Sequence, residues 1–342
     1  MRVARWYSNN DVRVEEMPVP DINAGEMLVR IEACGICGSD VMEWYRIDRA
    51  PLVLGHEVGG QVVEVGEKVQ KYHEGERVTI AHHVPCNTCK YCLSGHHTMC
   101  DKLRTTNFYP GGLSEFVRLP EIVVDRGVFV IPDSMSYREA TFVEPLACVL
   151  RGLRKTGLRP GDTVLVIGSG IAGLLYIQLA KHMGAGNIIA TDISQYRLSM
   201  AEKLGADVVL NANEDVPARV KELNQGYLVD TVVLCAGATS AVRQALDSVE
   251  RSGTVLFFAA TGPGVEVPFS VNEIFWRNDV TLTTSYAASP DDYREALDLV
   301  SQGVVNTELM TTHVLPMDEV GRGFQLVAQA GESVKVIIEP QK

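Results

Sequence analysis

The sequence predicts an α/β fold in two parts, a small barrel-like β domain followed by a doubly wound parallel sheet. Three observations predict it. Short β-rich runs punctuated by glycines fill the stretch from Val29 to about Val78. From Asp162 onward, apolar strands alternate with amphipathic helical stretches. The 342 residues are enough for two domains that each bury a core of their own. Hydrophobic residues make up 46% and charged residues 22%, the composition of a soluble globular chain rather than a disordered one.

In the first part, Leu28–Ile31 and Gln61–Val65 read as strands, with corners at Gly55, Gly59, Gly60, Gly66 and Gly75. A cysteine-rich loop runs from Pro85 to Cys100, and strand-like pieces follow at Ser114–Leu119 and Val128–Ile131. Leu146–Lys155 reads as a helix. Strands are then expected at Thr163–Ile167, Asn187–Thr191, Asp207–Leu210, Thr231–Cys235 and Thr254–Ala259, with helices between most of them. Near the end, Pro290–Gln302 and Met317–Ala328 read as helices and Val334–Ile338 as a closing strand.

The formal net charge of -12 argues against nucleic acid or an anionic membrane as a principal partner, since either calls for a basic face. Met1–Trp6 lacks the apolar core of a signal peptide, which predicts a cytoplasmic location. The run nearest to a membrane span, Val164–Ala180, is broken by Gly168, Gly170 and Gly173, so it is expected to be a buried strand turning into a helix. Eight cysteines in such a chain point to metal ligands or core positions before disulfides.

Val164–Ile167 leads straight into Gly168-Ser169-Gly170-Ile171-Ala172-Gly173, and an apolar helix follows. A G-x-G-x-x-G string between a strand and a helix is the dinucleotide fingerprint. Gly168 makes the tight turn, Gly170 admits the diphosphate, and Gly173 lets the helix pack on the sheet. The backbone N–H groups of Ile171 and Ala172 would then face the anion at the helix N-terminus. Asp192 ends the next expected strand, where a carboxylate accepts hydrogen bonds from the ribose hydroxyls and repels a 2′-phosphate, selecting NAD. Arg197 is expected to pack beside the adenine.

Cys86, Cys89, Cys92 and Cys100 follow the pattern C-x2-C-x2-C-x7-C. Four thiolates so close complete a tetrahedral zinc shell and leave no open position, which makes the site structural. An iron–sulfur cluster also uses four cysteines. His96 and His97 lie inside the loop and are expected at the surface.

Two segments remain, Gly35-Ile36-Cys37-Gly38-Ser39-Asp40 and Gly55-His56-Glu57-Val58-Gly59-Gly60. With Glu144 of Val143-Glu144-Pro145-Leu146 they could hold one zinc and leave room for water or substrate. These motifs, with Gly75-Glu76-Arg77-Val78, the cysteine loop and the glycine fingerprint, occur in an order that resembles the zinc-containing medium-chain dehydrogenases over nearly the whole chain. The resemblance is to the sorbitol (polyol) and threonine dehydrogenase branch, which has glutamate rather than cysteine at the third ligand place. It implies a GroES-like catalytic domain over 1–148 and 288–342 with a structural zinc loop at 85–101, and a Rossmann NAD-binding domain over 149–287. It also implies one catalytic and one structural zinc per chain, with Cys37, His56 and Glu144 on the catalytic ion and Glu57 either a ligand or just behind it. Cys34, Cys148 and Cys235 match no ligand place and are expected to pack.

Zinc can lower the pKa of bound water from about 15.7 to about 7, and an alcohol is acidified in the same sense. The resemblance makes Ser39 the hydroxyl that passes the alcohol proton outward through the nicotinamide ribose, with NAD as hydride acceptor. The catalytic residues implied are thus Ser39, Glu57 and Glu144. Where sorbitol and threonine dehydrogenases carry a histidine five residues after the zinc cysteine, this chain has Met42, then Glu43. The relay is therefore expected to end at Ser39 and solvent, or to use Glu43. The function implied is NAD-linked oxidation of a secondary hydroxyl of a polyol or sugar alcohol. A threonine-like amino alcohol is the nearest alternative, and a non-catalytic NAD sensor is the alternative of another class. Trp44, Tyr45, Phe108 and Tyr109 are pocket candidates that could equally be core. Relatives form dimers or tetramers by pairing coenzyme-domain edges, and Thr281–Tyr286 is the strand expected to do so here.

Overall fold

The computed structural model describes residues 1–342 and divides into two compact units, Met1–Ala147 with Ala287–Lys342, and Cys148–Tyr286. The first unit opens with β1 (Arg2–Ser8) and β2 (Asp11–Glu16), then β3 (Met27–Gly35), β4 (Leu52–Val53), β5 (Glu57–Val65), β6 (Arg77–Ile80), β7 (Phe116–Leu119) and β8 (Val128–Val130). β1 lies between β2 and β4 in a small antiparallel sheet. The larger sheet is built around β3, which pairs antiparallel with both β5 and β7. Val29, Ile31, Val58, Val78, Ile80 and Val117 from these strands form its sealed core. Gly59 and Gly60 of β5 are held by close approach: a side chain at either would run into the backbone of Tyr137 or Arg30. Gly59 and Gly60 are therefore not corners, as their sequence context suggests, but positions inside β5 where neighbouring backbone comes too close for a side chain, whereas Gly75 turns the chain at φ +91°.

The second unit holds β9 (Thr163–Ile167), β10 (Asn187–Asp192), β11 (Val208–Asn211), β12 (Val229–Leu234), β13 (Val249–Phe257) and β14 (Thr281–Thr284). All are parallel, in the order β11-β10-β9-β12-β13-β14. That is the 3-2-1-4-5-6 order of a doubly wound sheet, with its switch point between β9 and β12. Every residue of β9 is buried, as a central parallel strand covered on both faces requires. Leu165, Ile189, Val232, Leu234, Leu246 and Val255 carry the packing between this sheet and its helices. Val164–Ala180 is the strand β9 turning into the helix Ile171–His182, and no helix of the chain is long and apolar enough to cross a membrane.

β13 begins at Val249, five residues before the strand expected from Thr254. Its polar start, Glu250-Arg251-Ser252, conceals it in the sequence, and Val249 reaches its partner Val229 across an irregularity in the register. β14 stands at the outer edge of the sheet.

The chain then returns to the first unit with the helix Pro290–Ser301, the strands β15 (Thr311–Pro316) and β16 (Lys335–Glu339), and between them the helix Val320–Gln329. The last helix is preceded by a tight turn over Met317–Glu319, so the helix expected from Met317 starts three residues later. β16 joins the larger sheet antiparallel to β3, with Ile337 opposite Gly35 and Ile338 opposite Cys34. β15, parallel to β16, is a half-buried edge strand without an expected counterpart in the sequence.

Candidate active site and metal centres

The register of β3 with β5 sets Gly35 opposite Glu57. The residues that follow β3 and the residue that precedes β5 therefore meet at one end of the sheet. There Cys37 Sγ, a ring nitrogen of His56 and a carboxylate oxygen of Glu57 lie within 4.8 Å of one another. Glu144 is buried in the first turn of the helix Val143–Thr156 and lies outside this group of three.

Asp40 organises the loop from beneath. It is fully buried, its Oδ2 accepts the Cys37 N–H at 3.1 Å, and its Oδ1 lies 3.5 Å from His56 Nδ1 and 3.7 Å from Arg46 Nη2. Burial opposes charge on His56, but Asp40 and Cys37 outweigh it and hold the imidazole well above its usual range. Burial, and then the nearby Glu57 carboxylate, push the Cys37 thiol up. A thiol, a carboxylate and an aspartate-backed imidazole thus converge on a spot that calls for positive charge, a donor set suited to zinc.

The Glu57 carboxylate is already engaged from behind, paired with Lys335 of β16, and both side chains are sealed from solvent. Lys335 Nζ also donates to the Thr141 carbonyl at 3.1 Å. Gly35 is glycine because any side chain there would collide with both members of the pair. Two further histidines line the site: the ring of His82 lies 4.8 Å from that of His56 and 3.8 Å from that of His83. Burial drives His82 well below the usual histidine range and takes His83 down to about 4, so both are neutral at neutral pH. His83 Nδ1 donates to the Thr106 carbonyl at 2.8 Å. Sequence reasoning missed Lys335, Arg46, His82 and His83, because their places depend on strand register and loop return rather than on any spaced pattern. Of the pocket aromatics, Trp44, Tyr45 and Tyr109 are exposed, whereas Phe108 is core and meets His82 edge-on.

The four-cysteine loop forms a second cluster, with all four sulfurs within 4.8 Å of one another. Cys89–Cys92, Cys86–Cys100 and Cys86–Cys92 sulfur separations are 3.5, 3.6 and 4.0 Å. Tetrahedral zinc with Zn–S bonds of about 2.3 Å requires sulfurs about 3.8 Å apart. The loop therefore already has the dimensions of the ion. The Thr88 hydroxyl and the N–H groups of Thr88 and Cys89 point at Cys86 Sγ and pull that thiol down to about 5. His96 is exposed and His97 half-buried, and neither belongs to the cluster. Cys34 and Cys235 have thiols pushed up by burial, and Cys148 is half-buried.

In the second unit, Gly168 turns the chain after β9 with φ +93°, in the left-handed region that favours glycine. A Cβ at Gly173 would overlap the Gly168 carbonyl, so the helix can approach the strand only as glycine. The helix Ile171–His182 starts at Gly170 with no side chain capping it, which leaves the N–H groups of Ile171, Ala172 and Gly173 directed outward. Arg197 Nη1 is the atom nearest to the open side of Gly170, at 3.7 Å from a notional Cβ, and its Nε is buried without a hydrogen-bond partner. Asp192 is fixed at the end of β10 by the N–H groups of Ser169 and Ser194, at 2.8 and 2.9 Å. A bare helix start, an orphaned guanidinium nitrogen and an anchored carboxylate around one glycine turn fit a dinucleotide.

Residues 23–132 match the model of the alcohol dehydrogenase GroES-like domain, and residues 172–302 match that of the zinc-binding dehydrogenases. The chain is 30% identical to the sorbitol dehydrogenase of Bacillus subtilis (strain 168), covering 100% of this chain and 98% of that protein. The chain belongs to the zinc-containing alcohol dehydrogenases. Another member of the family, the D-arabitol-phosphate dehydrogenase of Enterococcus avium, is 32% identical over 95% of this chain and 92% of its own. The alcohol dehydrogenase TADH from Thermus sp. ATN1 has the same fold, with a TM-score of 0.87, 30% identity and 99% of both chains covered. As a zinc-containing alcohol dehydrogenase the chain is an oxidoreductase of CH–OH donors, and its cofactors are zinc and NAD.

Proposed function

We propose that the protein oxidises a secondary hydroxyl of a polyol or sugar-alcohol-like substrate to a ketone, passing the hydride to NAD. The observation that carries this is the convergence of Cys37, His56 and Glu57 at one end of the sheet, with Ser39 on the same loop. Sorbitol and D-arabitol-phosphate dehydrogenases among the relatives support a polyhydroxy substrate.

Cys37, His56 and Glu144 would hold the catalytic zinc, and Cys86, Cys89, Cys92 and Cys100 the structural one. Glu57 can ligate through the carboxylate oxygen that Lys335 does not hold, or stand behind the metal as its charged support. When bound, the catalytic zinc supplies Lewis acidity to the alcohol oxygen. Ser39 receives the hydroxyl proton as the C–H hydride leaves. Neutral His82 and His83 offer ring nitrogens to the other hydroxyls of a polyol. Gly168, Gly170 and Gly173 cradle the diphosphate, with Ile171 and Ala172 donating to it. Asp192 accepts from the adenosine ribose, and Arg197 covers the adenine side. Pairing of two copies along the outer edge of β14 completes the assembly; sedimentation showing only monomers at micromolar concentration would remove that part.

The test is NADH formation by purified protein over matched polyols, sugar-alcohol phosphates, amino alcohols and simple secondary alcohols, with NAD or NADP. Chelator-sensitive turnover of a polyol, at least about tenfold better with NAD, is the expected result, since a repelled 2′-phosphate costs on the order of 1.4 kcal/mol or more. Turnover confined to amino alcohols or simple alcohols would overturn the substrate class.

A further inference from the structure

We infer that Arg46 is a positioning residue that orients the Ser39 hydroxyl toward solvent, the proton exit that remains where Met42 offers no acceptor. The inference rests on the proton-accepting role given to Ser39 above.

The short helix Glu43–Arg46 turns the chain back over the Cys37–Asp40 loop. From its last residue, Arg46 Nε donates to the Ser39 carbonyl at 3.2 Å and Nη2 donates to Ser39 Oγ at 3.3 Å. The guanidinium is further fixed by Asp40 Oδ1 at 3.7 Å and lies over the Tyr45 ring at 4.7 Å from its centroid. Only 16% of the side chain is exposed. Glu43, the other relay candidate, is exposed and accepts from the Asn9 N–H at 3.4 Å, so it is directed elsewhere.

A serine hydroxyl has one hydrogen and two lone pairs, and a guanidinium can only donate. In the bond between them Ser39 Oγ must therefore be the acceptor, which leaves one lone pair and the hydroxyl hydrogen for other partners. The free lone pair takes the proton of the substrate hydroxyl. As that new O–H bond forms, the original Ser39 O–H bond breaks and its proton passes outward to water. Without Arg46 the hydroxyl rotates freely, and the outward direction of its hydrogen is one choice among several. The second bond, to the Ser39 carbonyl, makes the clamp two-pointed, which a planar fork can do and a lysine ammonium, a point charge, cannot.

A double-mutant cycle tests this on the zinc-loaded enzyme with the polyol identified above, using wild type, Ser39→Ala, Arg46→Gln, Arg46→Lys and Ser39→Ala with Arg46→Gln. Zinc content and NADH binding by fluorescence are measured alongside the kinetics, and wild-type values are expected for both. Arg46→Gln is expected to lower kcat by about 10–100-fold, within the range of lost proton-transfer assistance, with KM shifted far less. In the Ser39→Ala background the same change is expected to lower kcat by less than about twofold, because the two act as one unit. Arg46→Lys should recover only a small part of the loss. An Arg46→Gln effect equally large without the Ser39 hydroxyl, or loss of zinc or NADH binding in both Arg46 variants, overturns the inference in favour of a structural role. Arg46→Gln turning over like wild type overturns it as well. Full kcat in Ser39→Ala alone is a different result, since it removes the role of Ser39 in the proposed function.

Discussion

The two candidate metal centres of this chain are built in opposite ways. The four-cysteine cluster draws its ligands from one loop of fifteen residues, Cys86 to Cys100, and its sulfurs already stand 3.5 to 4.0 Å apart in the pairs that touch. The other centre brings together Cys37, two residues beyond the end of β3, His56, just before β5, and Glu57, which opens β5, and is backed by Lys335 of β16, 278 positions away from Glu57. A loop can satisfy a metal by spacing alone. A site assembled across strands depends on register and on buried counter-charges, so it can leave a coordination place for substrate that a closed shell cannot.

The sharpest way to break this comparison is to remove one ligand from each centre. Cys37→Ser should leave one zinc per chain and lower turnover by about 10³-fold or more, since Lewis-acid stabilisation is worth several kcal/mol. Cys100→Ser should also leave one zinc, yet keep measurable turnover at low temperature and melt earlier, because that ion holds a loop together. Metal analysis beside the kinetics decides it. Loss of both ions from either variant would show that the centres are one cooperative unit.

A smaller effect, on stability, probes the buried support. Lys335→Met strands the Glu57 carboxylate without its partner, and breaking a buried pair from one side costs about 3–5 kcal/mol. Adding Glu57→Gln should return most of the loss, since the stranded charge is gone. Urea unfolding monitored by fluorescence measures both. If Lys335→Met unfolds like wild type, Glu57 has another partner, and the metal itself becomes the first suspect.

The same contrast explains which parts of the molecule are legible in the sequence. β9 and the turn after it are legible because strand, glycines and helix are contiguous and each glycine answers a local demand, Gly168 for its φ and Gly173 for its close approach. The cysteine loop is legible for the same reason. The start of β13 is not, because its polar residues obey the pairing with β12 rather than any alternation of their own. Lys335 gives no signal because its meaning lies in the register Ile337 to Gly35, which no local pattern encodes. Arg46 is hidden beside the aromatic pair Trp44 and Tyr45, and only the return of the helix Glu43–Arg46 reveals its aim at Ser39.

The finest distinction between the two centres is the pH at which each releases its ion. A proton competes with zinc for every ligand, so a ligand with a raised pKa gives up the metal at higher pH and one with a lowered pKa holds it further into acid. Burial pushes the Cys37 thiol up, and Asp40 with Cys37 holds His56 well above its usual range, so two of the proposed catalytic ligands favour the proton. In the loop, Cys86 is drawn down to about 5 by Thr88 and backbone N–H groups, although burial and the Cys89 thiol push Cys92 up to about 12. Burial opposes charge on Cys100, but the N–H groups of Cys86 and Leu103 outweigh it and draw that thiol down too, so two of the loop thiols hold the metal into acid against one that does not. Acid titration of the holoenzyme with a zinc-sensitive dye should therefore release one ion, together with activity, about one pH unit or more above the second. Simultaneous release, or release of the loop zinc first, would mean that closure of the shell counts for less than access of protons to Cys86 and Cys89 at the surface of the loop.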